Sequence, residues 1–494
     1  MKTFIASLLT FSLLALSCNF LTPTTTPPPS NPPDILDTPW DDLSIFRNGL
    51  VPSAQPALNQ LGGASVYHIA LTIEDNLFNA TGVQEVRYTN NENVPLDQIQ
   101  FRQFPNILGG KMKISNLRVD RLTVSPRYEL QNSLMIIPLA KPLEPGESIV
   151  IRMDFSVTVL QTVGLNYGLL AYAEDVLALA HAYPMIAVYN DEGWNAEIPP
   201  QSGDVAFADA SFYLVRITAP KDVTVVTSGR TVSAEEAGQV QILSVASGPA
   251  RDFYLAASPA YEETSQTFGE VTIRSYASKS LGDGSRAAVE IAARALEVFG
   301  ARYAPYPYTE LDIVATPTLA LGIEYPGIIA ITSWIYDGGA ANPIFESTVV
   351  HEVGHQWFYN LVGDDQLDEP WLDESLAQFI TLQYYADEYG TNGEDGFRAS
   401  LEGRWAYVGN ADIPIGLPVA DYDDVEYSAI VYGRGPLFFV ALRDRMGVAA
   451  FDAFMKDYTD SLSWNTTTSE ALQALAEKNC TCELDDLFNT WVYP

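Results

Sequence analysis

His351-Glu352-Val353-Gly354-His355, with Glu374 beyond a gap of eighteen residues, is the stretch from which the rest of the chain can be read. Two residues four apart on a helix share one face, so both imidazoles can reach one ion. Imidazole nitrogens and one carboxylate suit zinc, and three protein ligands leave a fourth position open for water. Glu352, beside the first imidazole, is placed to take a proton from that water. The chain has four His in 494 residues, so this pairing is rare by chance. The plain alternative is a helix that merely carries two ordinary histidines, and the flanking residues argue against it. Asn342-Pro343 reads as N-cap and first helical residue. Ile344, Phe345, Thr348 and Val349 then give apolar helical spacing, and Gly363 offers a stop. Asp368-Glu369-Pro370 predicts a second helix through Trp371, Leu372, Leu376, Phe379, Ile380 and Tyr384 to Gly390. Glu374 falls in its first turns. Two antiparallel helices on a short loop would bring Glu374 against the His pair.

Outward from this core the pattern divides. Alternation at Val66-Tyr67-His68-Ile69-Ala70-Leu71-Thr72-Ile73 and at Val83-Gln84-Glu85-Val86-Arg87-Tyr88, punctuated by turn clusters, predicts β-structure from about residue 60 to 260. Ser285 to Phe299 has helical spacing with Gly300 as its stop, Leu311-Asp312-Ile313-Val314 reads as a strand, and residues 435 to 494 are again helical in pattern. The expectation is α+β in two parts: an N-terminal antiparallel β-sheet domain over residues 46–262, then a mainly helical zinc-binding domain over 263–494.

Lys and Arg number 27 against 62 Asp and Glu, a net charge of −35. Such a surface repels nucleic acid and anionic lipid, so neither is expected as a partner. It keeps an exported protein soluble. Met1-Lys2 followed by the apolar run Phe4 to Leu16 reads as a signal peptide over 1–17, too short to span a bilayer comfortably. Ala15-Leu16-Ser17-Cys18 resembles the lipobox of bacterial lipoproteins, which makes Cys18 a lipid-bearing first residue, with ordinary signal cleavage as the alternative. Residues 18–45, Thr- and Pro-rich from Leu21 to Pro39, read as a solvated tether. The expected location is outside the cytoplasm, anchored to the membrane only through Cys18. Cys480 and Cys482 form a local pair of structural or redox-labile character.

The chain resembles the aminopeptidase N family of zinc metallopeptidases, gluzincins related to leukotriene hydrolase. His351-Glu352-x-x-His355 and Trp371-Leu372-Asp373-Glu374-Ser375 carry the likeness; in thermolysin-like enzymes the intervening gap is typically one residue longer. Leu321-Gly322-Ile323-Glu324-Tyr325-Pro326 falls where the family has Gly-x-Met-Glu-Asn, and Tyr427 to Gly435 resembles its catalytic tyrosine segment. The resemblance implies a thermolysin-like catalytic domain with one zinc ion on His351, His355 and Glu374, and Glu352 as general base. Glu324 would pair with the free α-ammonium of a peptide. Tyr432 would donate to the oxyanion, with Tyr427 in support. Gly322 would let substrate backbone approach, or be a simple turn glycine. Leu321, Ile323, Tyr325-Pro326 and Arg434 depart from the family pattern without removing a ligand or the base. About sixty residues follow Tyr432, where many family members continue much further, so the expected cleft is more open or capped by a neighbouring molecule. His68 and His181 are expected to be ordinary histidines. The implied activity is a zinc aminopeptidase acting on peptides with a free N-terminus. The competing readings are an endopeptidase or epoxide hydrolase on the same scaffold, or a catalytically inactive peptide-binding surface protein.

Overall fold

The computed structural model of the chain describes residues 34–494. The signal peptide and Cys18 lie outside these residues. Burial alternates with the pleat through the first part of Asn79–Thr89, Val66–Ile73 is buried on both faces at its start, and the two strands pair antiparallel. They sit in the middle of an eight-stranded sheet ordered Arg230–Ala237, Val240–Ala250, Ser211–Pro220, Val66–Ile73, Asn79–Thr89, Ser148–Thr158, Lys111–Val119, Leu122–Thr123. The sheet departs from the expected antiparallel pattern at one place: Ser211–Pro220 runs parallel to Val66–Ile73. A parallel neighbour needs a long crossover. Here the crossover includes one four-stranded sheet, around Leu96–Arg102 and Leu134–Leu143, and two strands, Leu170–Ala173 and Val176–Leu179, of another that Thr224–Thr227 and Leu255–Ser258 complete later in the chain. Val86, Phe101, Met135, Ile151, Met153 and Ile217 form part of one fully buried core between these layers.

The tether expectation fails at its C-terminal end. Short 3-10 helices at Ile35–Asp37 and Leu43–Gly49 bury Ile35, Leu43 and Phe46. Asp34 pairs with Arg216 and Asp41 with Arg87, and Trp40 stacks on His68 at 4.0 Å. Residues 34–45 are therefore docked, because three apolar side chains outweigh the solvating composition around them.

The second half is built on a five-stranded sheet ordered Tyr261–Phe268, Val271–Ser278, Glu310–Thr316, Ile328–Thr332, Gly322–Tyr325. The last strand is an edge, antiparallel to its neighbour. Helix Gly282–Arg302 connects the parallel pair Val271–Ser278 and Glu310–Thr316. Gly300 does not stop it; a glycine inside a helix costs only about 1 kcal/mol, and buried Phe299 and Tyr303 hold the last turn.

Asn342 caps the first ligand helix, Pro343–Gly354, by accepting from the Ile344 N–H at 3.1 Å. This helix ends at Gly354, well before Gly363. Its C-cap is His355, still in αR geometry. The chain turns there because Gln356 donates to Tyr325 O and accepts from the Gly327 N–H, and Trp357 donates to Ala304 O. A Cβ on Gly354 would lie 2.8 Å from Ile380, so this glycine sets the approach of the second ligand helix. That helix spans Glu374–Ala406 with Asp373 as N-cap, later than the Asp368-Glu369-Pro370 start expected. Gly390 does break it, at φ 63 and ψ −157, but helix resumes beyond. Helix Asp424–Ala429, closed by an Asp423/Glu426 capping box, runs into a π-helical turn, Ile430–Arg434, and then helix Gly435–Met446. Cys480 and Cys482 are joined in a disulfide.

One side chain ties the halves together. Arg251, buried at the end of Val240–Ala250, donates to Ala208 O at 3.1 Å, Asn360 O at 3.1 Å and Asn465 O at 2.7 Å. Among the described residues no helix is long and apolar enough to cross a membrane.

Candidate active site

His351 Nε2, His355 Nε2 and Glu374 Oε2 converge, 3.1 to 3.4 Å from one another. Donors 2.0–2.1 Å from one tetrahedral ion sit about 3.3 Å apart, so the spacing fits zinc. The donor chemistry agrees. His355 Nδ1 donates to Phe358 O at 3.0 Å, which leaves Nε2 free to ligate. Burial holds His351 below its ordinary pKa, favouring the neutral imidazole a metal requires. Burial opposes charge on His355 too, yet Glu324 and Glu374 raise it well above its ordinary value. Burial would likewise raise Glu374, but His355 and His351 pull it below the usual carboxylate range. A buried pocket that sets carboxylates against two imidazoles is one whose charge a divalent cation would balance.

Around this centre stand the groups with chemical work to do. Glu352 is buried and held well above its ordinary range, by burial and then by the charge of Glu324. Tyr432, on the π-helical turn, donates a short hydrogen bond to Glu374 Oε1. A π turn displaces a side chain from the helical register, and here it aims Tyr432 at the ligand carboxylate. Ser375 Oγ donates to Val431 O at 2.5 Å and fixes that turn on the second ligand helix. Tyr427 packs its ring edge-on to Tyr432 at 5.6 Å. Glu324, on the edge strand, is buried and raised well above its range by burial and by Asp204. Its carboxylate accepts from Gln366 Nε2 at 3.1 Å, and the same amide donates to Asp373 at 2.8 Å.

Residues 287–491 match the model of the peptidase family M1 domain. That match takes in both ligand helices and the tyrosine segment, so this part of the chain is similar to a peptidase family M1 domain. Among curated M1 relatives, aminopeptidase M1-B of Oryza sativa subsp. japonica is 24% identical over 401 residues, covering 76% of this chain and 44% of its own length. Aminopeptidase M1 of Arabidopsis thaliana is 25% identical, covering 56% and 33%. The chain thus spans less than half the length of these relatives. The crystal structure of an M1 zinc metallopeptidase from Deinococcus radiodurans shares the fold, at TM-score 0.69 and 20% identity, over 87% of this chain and 93% of that one. A mutant of that enzyme was solved bound to a Tyr-Ser-Ala substrate, and it matches at TM-score 0.67 and 20% identity, over 87% and 93%.

Of the residues singled out in the sequence, His351, Glu352, His355, Glu374, Glu324, Gly322, Tyr427 and Tyr432 all fall around one centre. His68 and His181 do not: His68 stacks on Trp40, and His181 is buried 3.4 Å from Asp252. Sequence reasoning missed Gln366, Asp373 and Asp204. Asp204 comes from the sheet domain, and loss of water, then the charges of Glu374 and Asp373, raise it well above its range. Only the tertiary fold carries it there, since nothing around Pro199-Pro200-Gln201-Ser202-Gly203 marks it.

Gly322 lies against the Glu352 side chain. A Cβ there would overlap Glu352, lying 2.5 Å from its Cδ and Cγ. Gly322→Ala should displace the carboxylate and lower kcat by about 100-fold, with metal content and far-UV circular dichroism unchanged. Wild-type kcat in this variant would show that the base has room to spare.

Proposed function

We propose that the protein is a zinc aminopeptidase that removes N-terminal residues from peptides. Zinc, held by His351, His355 and Glu374, supplies Lewis acidity for the scissile carbonyl and for water. Glu352 takes the proton from water and passes it to the leaving amine; its raised pKa suits a group that must hold and release a proton. Tyr432 donates to the oxygen that becomes negative as the carbonyl turns tetrahedral.

The observation that carries the exopeptidase reading is Glu324. A carboxylate buried on an edge strand needs a cation, and no Lys or Arg among the described residues pairs with it. The α-ammonium of a peptide supplies one, through charge-assisted hydrogen bonds in a site from which water is largely excluded. A free-amine peptide and its N-acetylated twin, each with and without a zinc chelator, test the reading. Chelator-sensitive cleavage of the free-amine peptide alone is expected. Glu324→Gln should lower kcat/KM for it by about 10- to 100-fold. Cleavage of both twins would make the protein an endopeptidase, and cleavage of neither, with zinc bound, would make it a peptide-binding protein.

We also propose that it works outside the cytoplasm, anchored through Cys18. The apolar run before Cys18 and the Thr/Pro-rich stretch after it support this. The Cys480–Cys482 disulfide is in keeping with an oxidising compartment.

A further inference from the structure

The helix that resumes after Gly390 brings Arg404 over the site. A Cβ on Gly433 would lie 2.9 Å from Trp405 N and 3.0 Å from Arg404 Cβ, so the bare glycine lets this helix settle on the π-helical turn. Arg404 Cζ stands 5.7 Å from the Tyr432 ring centroid, and that ring lies 6.0 Å from the His351 ring. Arg294, Arg302, Arg398 and Arg434 each pair with a carboxylate. Half-buried Arg404 pairs with none among the described residues, in a chain with 62 acidic side chains.

The centre therefore has two ends of opposite sign. Glu324 groups with His355 and Asp373 at one end. Arg404 stands with Tyr432 and His351 at the other. We propose that Arg404 binds the α-carboxylate of the substrate, making this a site for dipeptides and tripeptides. The inference rests on the aminopeptidase reading above. With its ammonium on Glu324 and its first carbonyl at the ligand cluster, a peptide continues toward Tyr432. Each further residue of extended chain advances about 3.3–3.6 Å. The carboxylate one or two residues past the scissile bond then comes within reach of the guanidinium, whose fork matches it in a bidentate pair.

The test uses the full zinc-loaded chain and one tripeptide with a free N-terminus, as free acid and as C-terminal amide. Wild type should favour the free acid in kcat/KM by about 10- to 100-fold. Arg404→Gln should bring the ratio of the two close to one, and Arg404→Lys should restore part of it. Equal wild-type kcat/KM for acid and amide overturns the inference without recourse to a variant, as does a preference that survives Arg404→Gln. If neither peptide is cleaved, the aminopeptidase reading fails and this inference with it; cleavage of both at one rate removes this inference alone.

Discussion

Glu352→Gln is expected to lower kcat by about 10²–10⁴-fold, the range that a positioned general base contributes. The amide matches the carboxylate in size, so the close packing of Glu352 against Gly322 is kept. It cannot accept a proton. The three ligands are separate side chains, so zinc stoichiometry should remain one per chain. Peptide affinity should persist, because Glu324 is untouched. Steady-state kinetics beside metal analysis and an inhibition constant for a non-hydrolysed peptide distinguish this from unfolding. A kcat within tenfold of wild type would remove Glu352 from the reaction as its general base.

Tyr432→Phe should have the next largest effect, a fall in kcat of about 10²–10³-fold, the size found when one oxyanion donor is removed. The phenyl ring retains the edge-on contact with Tyr427 and the stacking surface for Arg404. Only the hydroxyl beside Glu374 is lost. The loss should appear in kcat with KM little changed, since the charge it meets develops only on the way to the tetrahedral state. A rise in KM at constant kcat would assign Tyr432 to ground-state binding instead.

The His351, His355 and Glu374 cluster was legible because a helix and its period are local, and four residues of spacing suffice to place two imidazoles. Strand alternation was legible for the same reason. The errors came from what local pattern cannot encode. Gly300, Gly363 and Gly390 look alike in the sequence, yet only Gly390 breaks a helix, because only there does the backbone take a positive φ. The parallel pairing of Ser211–Pro220 with Val66–Ile73 joins segments nearly 150 residues apart. Asp204 and Gln366 reach the cleft on loops with no period of their own. Ile35, Leu43 and Phe46 were visible as apolar residues, but the Thr- and Pro-rich surroundings masked their weight.

Arg251 bears on how far the two halves of the chain are separate objects. Its guanidinium is shared among carbonyls of the sheet domain, the loop after the first ligand helix and the segment before the last two helices. Cut away from the sheet domain, the zinc-binding half would leave Asn360 and Asn465 with carbonyls turned toward an empty socket, right behind the His355 loop. The change in pattern near residue 262 thus marks a shift in architecture, not a seam. Insertion, truncation or domain exchange at that point would disturb the metal centre from behind.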